Sequence, residues 1–196
     1  QWVFNRPEVA PALVLAEAGY DVWMGNNRGN RFSATHTTLS NKKKAYWDFS
    51  WEEMGTKDTP AVIDMILKET GAAKINYIGH SEGTTQIMAG AALIPEYYNS
   101  KMNVAVFLAP PACMHNNPQT MLHLASHPLV LNGIVDAISL VGQYNLLPYN
   151  FINTGAASVV CSLFDGKICD WIMSLFADED PTIDYTERYD VYMSNE

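Results

Sequence analysis

The chain has 196 residues, 48% of them hydrophobic and 17% charged, and its 21 acidic and 12 basic side chains leave a net charge of −9. That length supports one domain with a core, or a domain with an appendage, and the composition excludes a low-complexity or disordered chain. The acidic balance argues against a binder of phosphate backbones, so nucleic acid is not an expected partner.

The charge is unevenly placed. Residues 102–166 carry no Lys or Arg, and only Asp136 and Asp165 are acidic there. Such a stretch suits contact with an apolar substrate or a membrane surface, or equally a buried helical hairpin. No apolar run reaches eighteen residues, so no segment is expected to span a bilayer. The three cysteines, Cys113, Cys161 and Cys169, lack zinc-ligand spacing. They allow one disulfide and a free thiol, or three buried thiols. The chain opens at Gln1, without an initiator Met or leader, and reads as a processed chain or an internal fragment.

In chain order, residues 12–18 read as a short helix stopped by Gly19, and residues 20–24 as a strand. Residues 25–30, Gly-Asn-Asn-Arg-Gly-Asn, form a turn rich in residues that tolerate left-handed backbone. Residues 31–56 are irregular, with Lys42-Lys43-Lys44 followed by Tyr46, Trp47, Phe49 and Trp51. A helix is expected from about Asp58, its N-cap, to Thr70, with Pro60 in the first turn and Val62, Ile63, Ile66 and Leu67 as its apolar stripe. Residues 74–78 read as a strand, residues 84–93 as a helix with Pro95 beyond, and residues 104–108 as a strand apolar enough to be covered on both faces. This order describes a parallel α/β sheet. After Pro110-Pro111 the pattern turns mostly helical. The expected division is a sheet-forming part, 1–112, and a helical insertion or lid, 113–196.

The sharpest signal is Gly79-His80-Ser81-Glu82-Gly83, a G-x-S-x-G between a strand and a helix. A reversal that tight strains Ser81 and exposes its hydroxyl. A side chain at Gly79 or Gly83 would crowd the turn or the neighbouring strand. The following helix aims free N–H groups at the same place, where they favour developing negative charge, and the Glu82 N–H is an expected oxyanion donor. A nucleotide-binding turn fits worse, since G-x-G-x-x-G and the P-loop Lys are absent.

A serine nucleophile needs a base oriented by a carboxylate. His80 adjoins Ser81, but adjacent side chains diverge. His36 reads as a surface residue. His115, His123 and His127 lie in the helical part, and no HExxH pattern supports a metal. After Ser81 no further strand ends in Asp with a later His.

The chain resembles the acid lipases, the family of gastric and lysosomal acid lipases within the α/β-hydrolase superfamily. Four linked segments carry the resemblance: Ala18 to Asn30, Trp47 to Met54, Asp58 to Asp64, and Tyr77 to Thr85, with Leu108-Ala109-Pro110 ending the next strand. They cover nearly all of residues 1–111. The likeness weakens from 112 to 196, where the family has its helical cap, and is modest at Arg188 to Tyr192. It implies a partial α/β-hydrolase fold with the cap inserted after the strand that follows the elbow.

The resemblance implies Ser81 as nucleophile and the Glu82 N–H as oxyanion donor. Members of the family usually have Gln where this chain has Glu82, and an ionised carboxylate there is unhelpful. The family's catalytic Asp and His follow the cap, and its second oxyanion donor precedes the segment that resembles Gln1-Trp2. All three are expected outside these residues, so the 196 residues alone are expected not to turn over ester. The family carries a cap disulfide, which implies a Cys161–Cys169 pair and a secreted or lysosomal setting. The implied partners are a lipid ester, glyceride or sterol ester, and a lipid–water interface, with no metal or organic cofactor. Tyr144, Leu146, Leu147 and Phe151 are candidate acyl contacts. A truncated or degenerate copy with a structural or lipid-binding role is the alternative, and a thioesterase, acyltransferase or peptidase on the same fold is a third.

Overall fold

The computed structural model describes residues 2–3 and 6–112, with a few isolated positions between 127 and 144. The expected Cys161–Cys169 bridge, Cys113 and the body of the expected lid lie outside the described residues. The chain divides into two compact units. One comprises residues 1–22, 115–141 and 145–196, and the other residues 23–114 and 142–144.

In the first unit the described element is helix α1, Pro11–Glu17, with Pro in its first turn, where the missing N–H costs nothing. In the second unit a 3₁₀ turn, Lys44–Tyr46, leads to α2, Trp51–Glu53, a π-helical turn, Met54–Asp58, and α3, Thr59–Thr70. Strand β1, Ile75–His80, α4, Glu82–Leu93, α5, Pro95–Lys101, and β2, Met102–Leu108, follow. β1 and β2 pair in parallel, with α4 and α5 as the crossover. No helix among the described residues is long and apolar enough to cross a membrane.

The expected strand at 20–24 does not form. Tyr20, Trp23 and Met24 are exposed and belong to no regular element, and the two-stranded sheet of the described residues does not include them. The helix expected from about Asp58 to Thr70 forms as α3 and stops at Gly71, but it does not start afresh at Asp58. It runs back without a break to Trp51, capped by Ser50: the Ser50 hydroxyl accepts from the Glu52 N–H, and Glu53 reaches back to the Ser50 N–H. Asp58 caps nothing, because Arg28 occupies its carboxylate through the guanidinium and the backbone N–H.

Pro60 now sits inside a continuous helix, which normally breaks at proline. The π turn accommodates it. The Thr59 N–H bonds five residues back to Met54. Pro60 has no N–H to offer the Gly55 carbonyl, and the Tyr98 hydroxyl donates to that carbonyl instead, at 2.5 Å. The wide turn also presses Gly55 onto α4. A Cβ on Gly90 would lie 2.5 Å from the Gly55 oxygen and as close to the Tyr98 ring, so neither glycine has room for a side chain.

Ile63, Ile87 and Tyr98 form the centre of the core, flanked by Leu67, Ile75, Tyr77, Met102 and Phe107. The strand register slips between Ile75 and Asn76, which lets Met102 and Phe107 reach the same face despite their odd spacing. The other face of β2 leaves Val104, Val106 and Leu108 exposed, so the strand is covered on one face among the described residues, not on both as its composition suggests.

Two outcomes test this packing. Gly90→Ala should lower stability by about 1–3 kcal/mol through overpacking, read as a fall in Tm. Burial pushes the Tyr98 hydroxyl up to about 12. An acid whose folded value is raised stabilises fully below its unfolded value near 10 and loses that contribution as pH rises through 12. Chemical denaturation from pH 9 to 12 should show this loss, and Tyr98→Phe should flatten it while costing about 1–3 kcal/mol at neutral pH for the unpaired Gly55 carbonyl.

Candidate active site

The site is the turn from β1 to α4. Ser81 has φ 50° and ψ −118°, a left-handed conformation unfavourable for a residue with a Cβ. Three contacts hold it there. The Ser81 N–H donates to the Leu108 carbonyl at the end of β2, 3.0 Å away. The Ser81 carbonyl accepts from both the N–H and the hydroxyl of Thr84, at 2.9 and 2.7 Å, and Thr84 is wholly buried. Ala109, next after Leu108, also has a positive φ, 46°, so the two strand ends joined by this hydrogen bond are both strained.

Gly79 is buried beneath the turn. A Cβ there would lie 2.7 Å from the Tyr77 ring and 3.0 Å from the Gly83 backbone. Gly83 is less confined, with the Tyr77 hydroxyl at 3.4 Å from its hypothetical Cβ. Tyr77 therefore supports the turn from below: its ring lies against Gly79 and its hydroxyl donates to the Gly83 carbonyl at 2.9 Å. Burial raises the Tyr77 ionisation above that of an ordinary phenol, so the hydroxyl keeps its proton and remains a donor.

Ser81 itself is exposed, so its hydroxyl can be approached from solvent. The amide of Glu82 is the first of α4 and belongs to the group of N-terminal N–H donors that no helical carbonyl reaches. The Glu82 carboxylate is not loose. Its Oε1 accepts from the Trp51 indole N–H at 2.9 Å. The arrangement offers an exposed hydroxyl, a strained backbone and a free helix N-terminus at one point, which suits attack on a carbonyl carbon and stabilisation of the resulting oxyanion.

His80 ends β1, opposite Leu108, and is exposed. His36 closes its own loop: Nδ1 accepts from the N–H groups of Thr38 and Leu39, and the ring meets Tyr46 edge-on. His127 is exposed and belongs to the other compact unit. His115 and His123 fall outside the described residues, as do Leu146, Leu147 and Phe151, while Tyr144 is half-buried. No group of three or more His, Cys, Asp or Glu that could hold a metal occurs among the described residues.

Two features of the site lie outside the expectations drawn from the sequence. The Ser50 cap was recoverable, because Ser50-Trp51-Glu52-Glu53 is an S-x-x-E box. The Trp51–Glu82 bond joins residues 31 apart, and nothing local signals it.

The chain matches the family model described as the alpha/beta hydrolase fold over residues 3–139. It is 35% identical to lipase member K of Homo sapiens over 196 residues, 99% of this chain and 47% of that protein. It is 33% identical to the gastric triacylglycerol lipase of Mus musculus over 196 residues, 99% and 48% respectively. Over 109 residues, 56% of this chain and 25% of the relative, it is 48% identical to Lipase 1 of Drosophila melanogaster. The chain spans about half the length of the first two relatives, and its match to the third covers a quarter of that protein. A strained serine between a parallel strand and a helix, on a sheet of this connectivity and with these relatives, places the chain in the α/β-hydrolase fold family, as an acid-lipase-like member.

Proposed function

We propose that Ser81 is the nucleophile of a serine hydrolase acting on lipid esters, triglyceride or sterol ester. The observation that carries this reading is the left-handed Ser81 at the start of α4, exposed and held by Leu108 and Thr84. The Ser81 Oγ attacks the ester carbonyl while a histidine takes its proton. The Glu82 N–H donates to the oxyanion of the tetrahedral intermediate. Collapse releases the alcohol, which receives the proton from the histidine, and leaves an acyl group on Oγ. Water, deprotonated by the same histidine, attacks the acyl carbonyl, and the fatty acid leaves as Ser81 regains its proton.

The base and its orienting acid are assigned to the positions after the cap that the resemblance to the acid lipases implies. Residues 1–112 form the nucleophile-bearing part of the hydrolase core, and residues 113–196 a lid in which Tyr144, Leu146, Leu147 and Phe151 contact the acyl chain. The names of the relatives, lipases in each case, support the substrate class. A secreted or lysosomal setting, action at a lipid–water interface and a Cys161–Cys169 bridge complete the reading.

In the protein that carries this chain, Ser81→Ala should reduce hydrolysis of a short-chain nitrophenyl ester by at least about a thousandfold and abolish covalent labelling by a fluorophosphonate, with Tm unchanged. Near wild-type turnover in that variant would refute the mechanism and favour a non-catalytic role. At the two glycines the outcomes should differ. Gly79→Ala should cost about 1–3 kcal/mol and most of the activity, because its Cβ meets backbone. Gly83→Ala should cost less than about 1 kcal/mol, since its one neighbour is a hydroxyl and alanine favours the helix. Paired melts and ester assays decide between them.

A further inference from the structure

We infer that Trp51 is a positioning residue for the elbow: its indole N–H fixes the Glu82 carboxylate on the α2 side of α4, so that the charge does not swing towards Ser81. The inference rests on the nucleophile reading of Ser81.

Residue 82 has two jobs that conflict. Its backbone N–H lies at the free start of α4, where negative charge is welcome. Its side chain carries a negative charge of its own, attached one residue from the Ser81 hydroxyl. A mobile carboxylate would repel the oxyanion that the N–H is there to stabilise. Glu82 is exposed, so packing alone does not settle its rotamer. The bond from Trp51 Nε1 to Glu82 Oε1, 2.9 Å long, does.

The donor is itself well anchored. Trp51 opens α2, directly after the Ser50 cap, where the reciprocal Ser50–Glu53 bonds fix the first turn. The π turn then presses Gly55 against Gly90 and Gln86 of α4, the helix that Glu82 begins. Trp51 is thus held over the first turn of α4 by backbone contacts further along both helices. Trp51 is 53% exposed, too open to serve mainly as core packing. Tryptophan has one polar atom, a donor, and here that donor is spent on the carboxylate.

The test is a double-mutant cycle in the protein that carries this chain, with Trp51→Phe, Glu82→Gln and the double variant. Trp51→Phe keeps an aromatic ring and removes the donor. Glu82→Gln keeps the acceptor and removes the charge. With Glu82 present, Trp51→Phe should lower kcat for a short-chain nitrophenyl ester on the order of tenfold, with KM within twofold. In the Glu82→Gln background the same change should lower kcat less than twofold. Melting curves accompany each variant. An equal loss of kcat in both backgrounds would overturn the inference and make Trp51 a packing residue, and no loss in either would overturn it as well. A Ser81→Ala control separates the two levels: turnover persisting in that control refutes the nucleophile reading itself, whatever the cycle shows.

Discussion

The approach of Gly55 to α4 is the constraint on which the rest of the second unit depends. Two helices whose backbones touch cannot slide or rotate against each other, because no flexible side chain lies between them. Tyr98 locks the contact by filling the space beside Gly90 and donating to the Gly55 carbonyl. Core residues then fall into place. Ile63 on α3 and Ile87 on α4 meet with Tyr98 on α5, and the sheet closes beneath them through Tyr77 and Phe107. The elbow at the head of α4 inherits its position from this arrangement.

A line of specific contacts joins segments far apart in sequence. Arg28, in the asparagine-rich turn, grips the Asp58 carboxylate and lies over the Phe49 ring, 5.6 Å from its centroid. The hydrogen bonds to Asp58 raise the Arg28 ionisation further, so the guanidinium stays charged at any ordinary pH. The turn is itself stiffened by Asn30, whose side chain accepts from the Phe32 and Ser33 N–H groups. Two residues after Phe49, Trp51 reaches Glu82. The segments that made the sequence look like an acid lipase are therefore the ones that touch each other, each setting the next one's geometry up to Ser81.

How much of this could be read beforehand depended on the range of the interaction. The elbow was legible because its requirements are local: a small residue below the turn, a serine at its apex and a helix after it. The parallel pairing of 75–80 with 102–108 followed from strand, helix and strand spacing. The continuation of the helix before β1 back to Trp51 was missed because two local signals competed. Asp58 with Pro60 looks like a helix start, and so does Ser50 with Glu53. Only the tertiary partner Arg28, which takes the Asp58 carboxylate, and the π turn, which tolerates Pro60, decide between them. The strand expected at 20–24 failed for a related reason: β propensity describes a residue's fitness for a sheet, and a sheet must also supply a neighbour. Likewise, the apolar run at 104–108 announces burial without saying which face is covered.

The π turn sets the angular phase of its helix. An α-helix advances about 100° per residue, so the extra residue in Met54–Asp58 rotates everything upstream of it by about that angle relative to everything downstream. One continuous rod can then point Ile63 into the core and Trp51 at the head of α4 at the same time. Deleting a single residue from this turn would leave hydrophobic content and helical propensity almost untouched, yet it would swing the indole roughly a quarter-turn around the axis and away from Glu82. Chain length through residues 54–58 is thus under a stricter constraint than most of the side chains in that stretch, and homologous helices with and without the additional residue would be wired to their nucleophile turns in different ways.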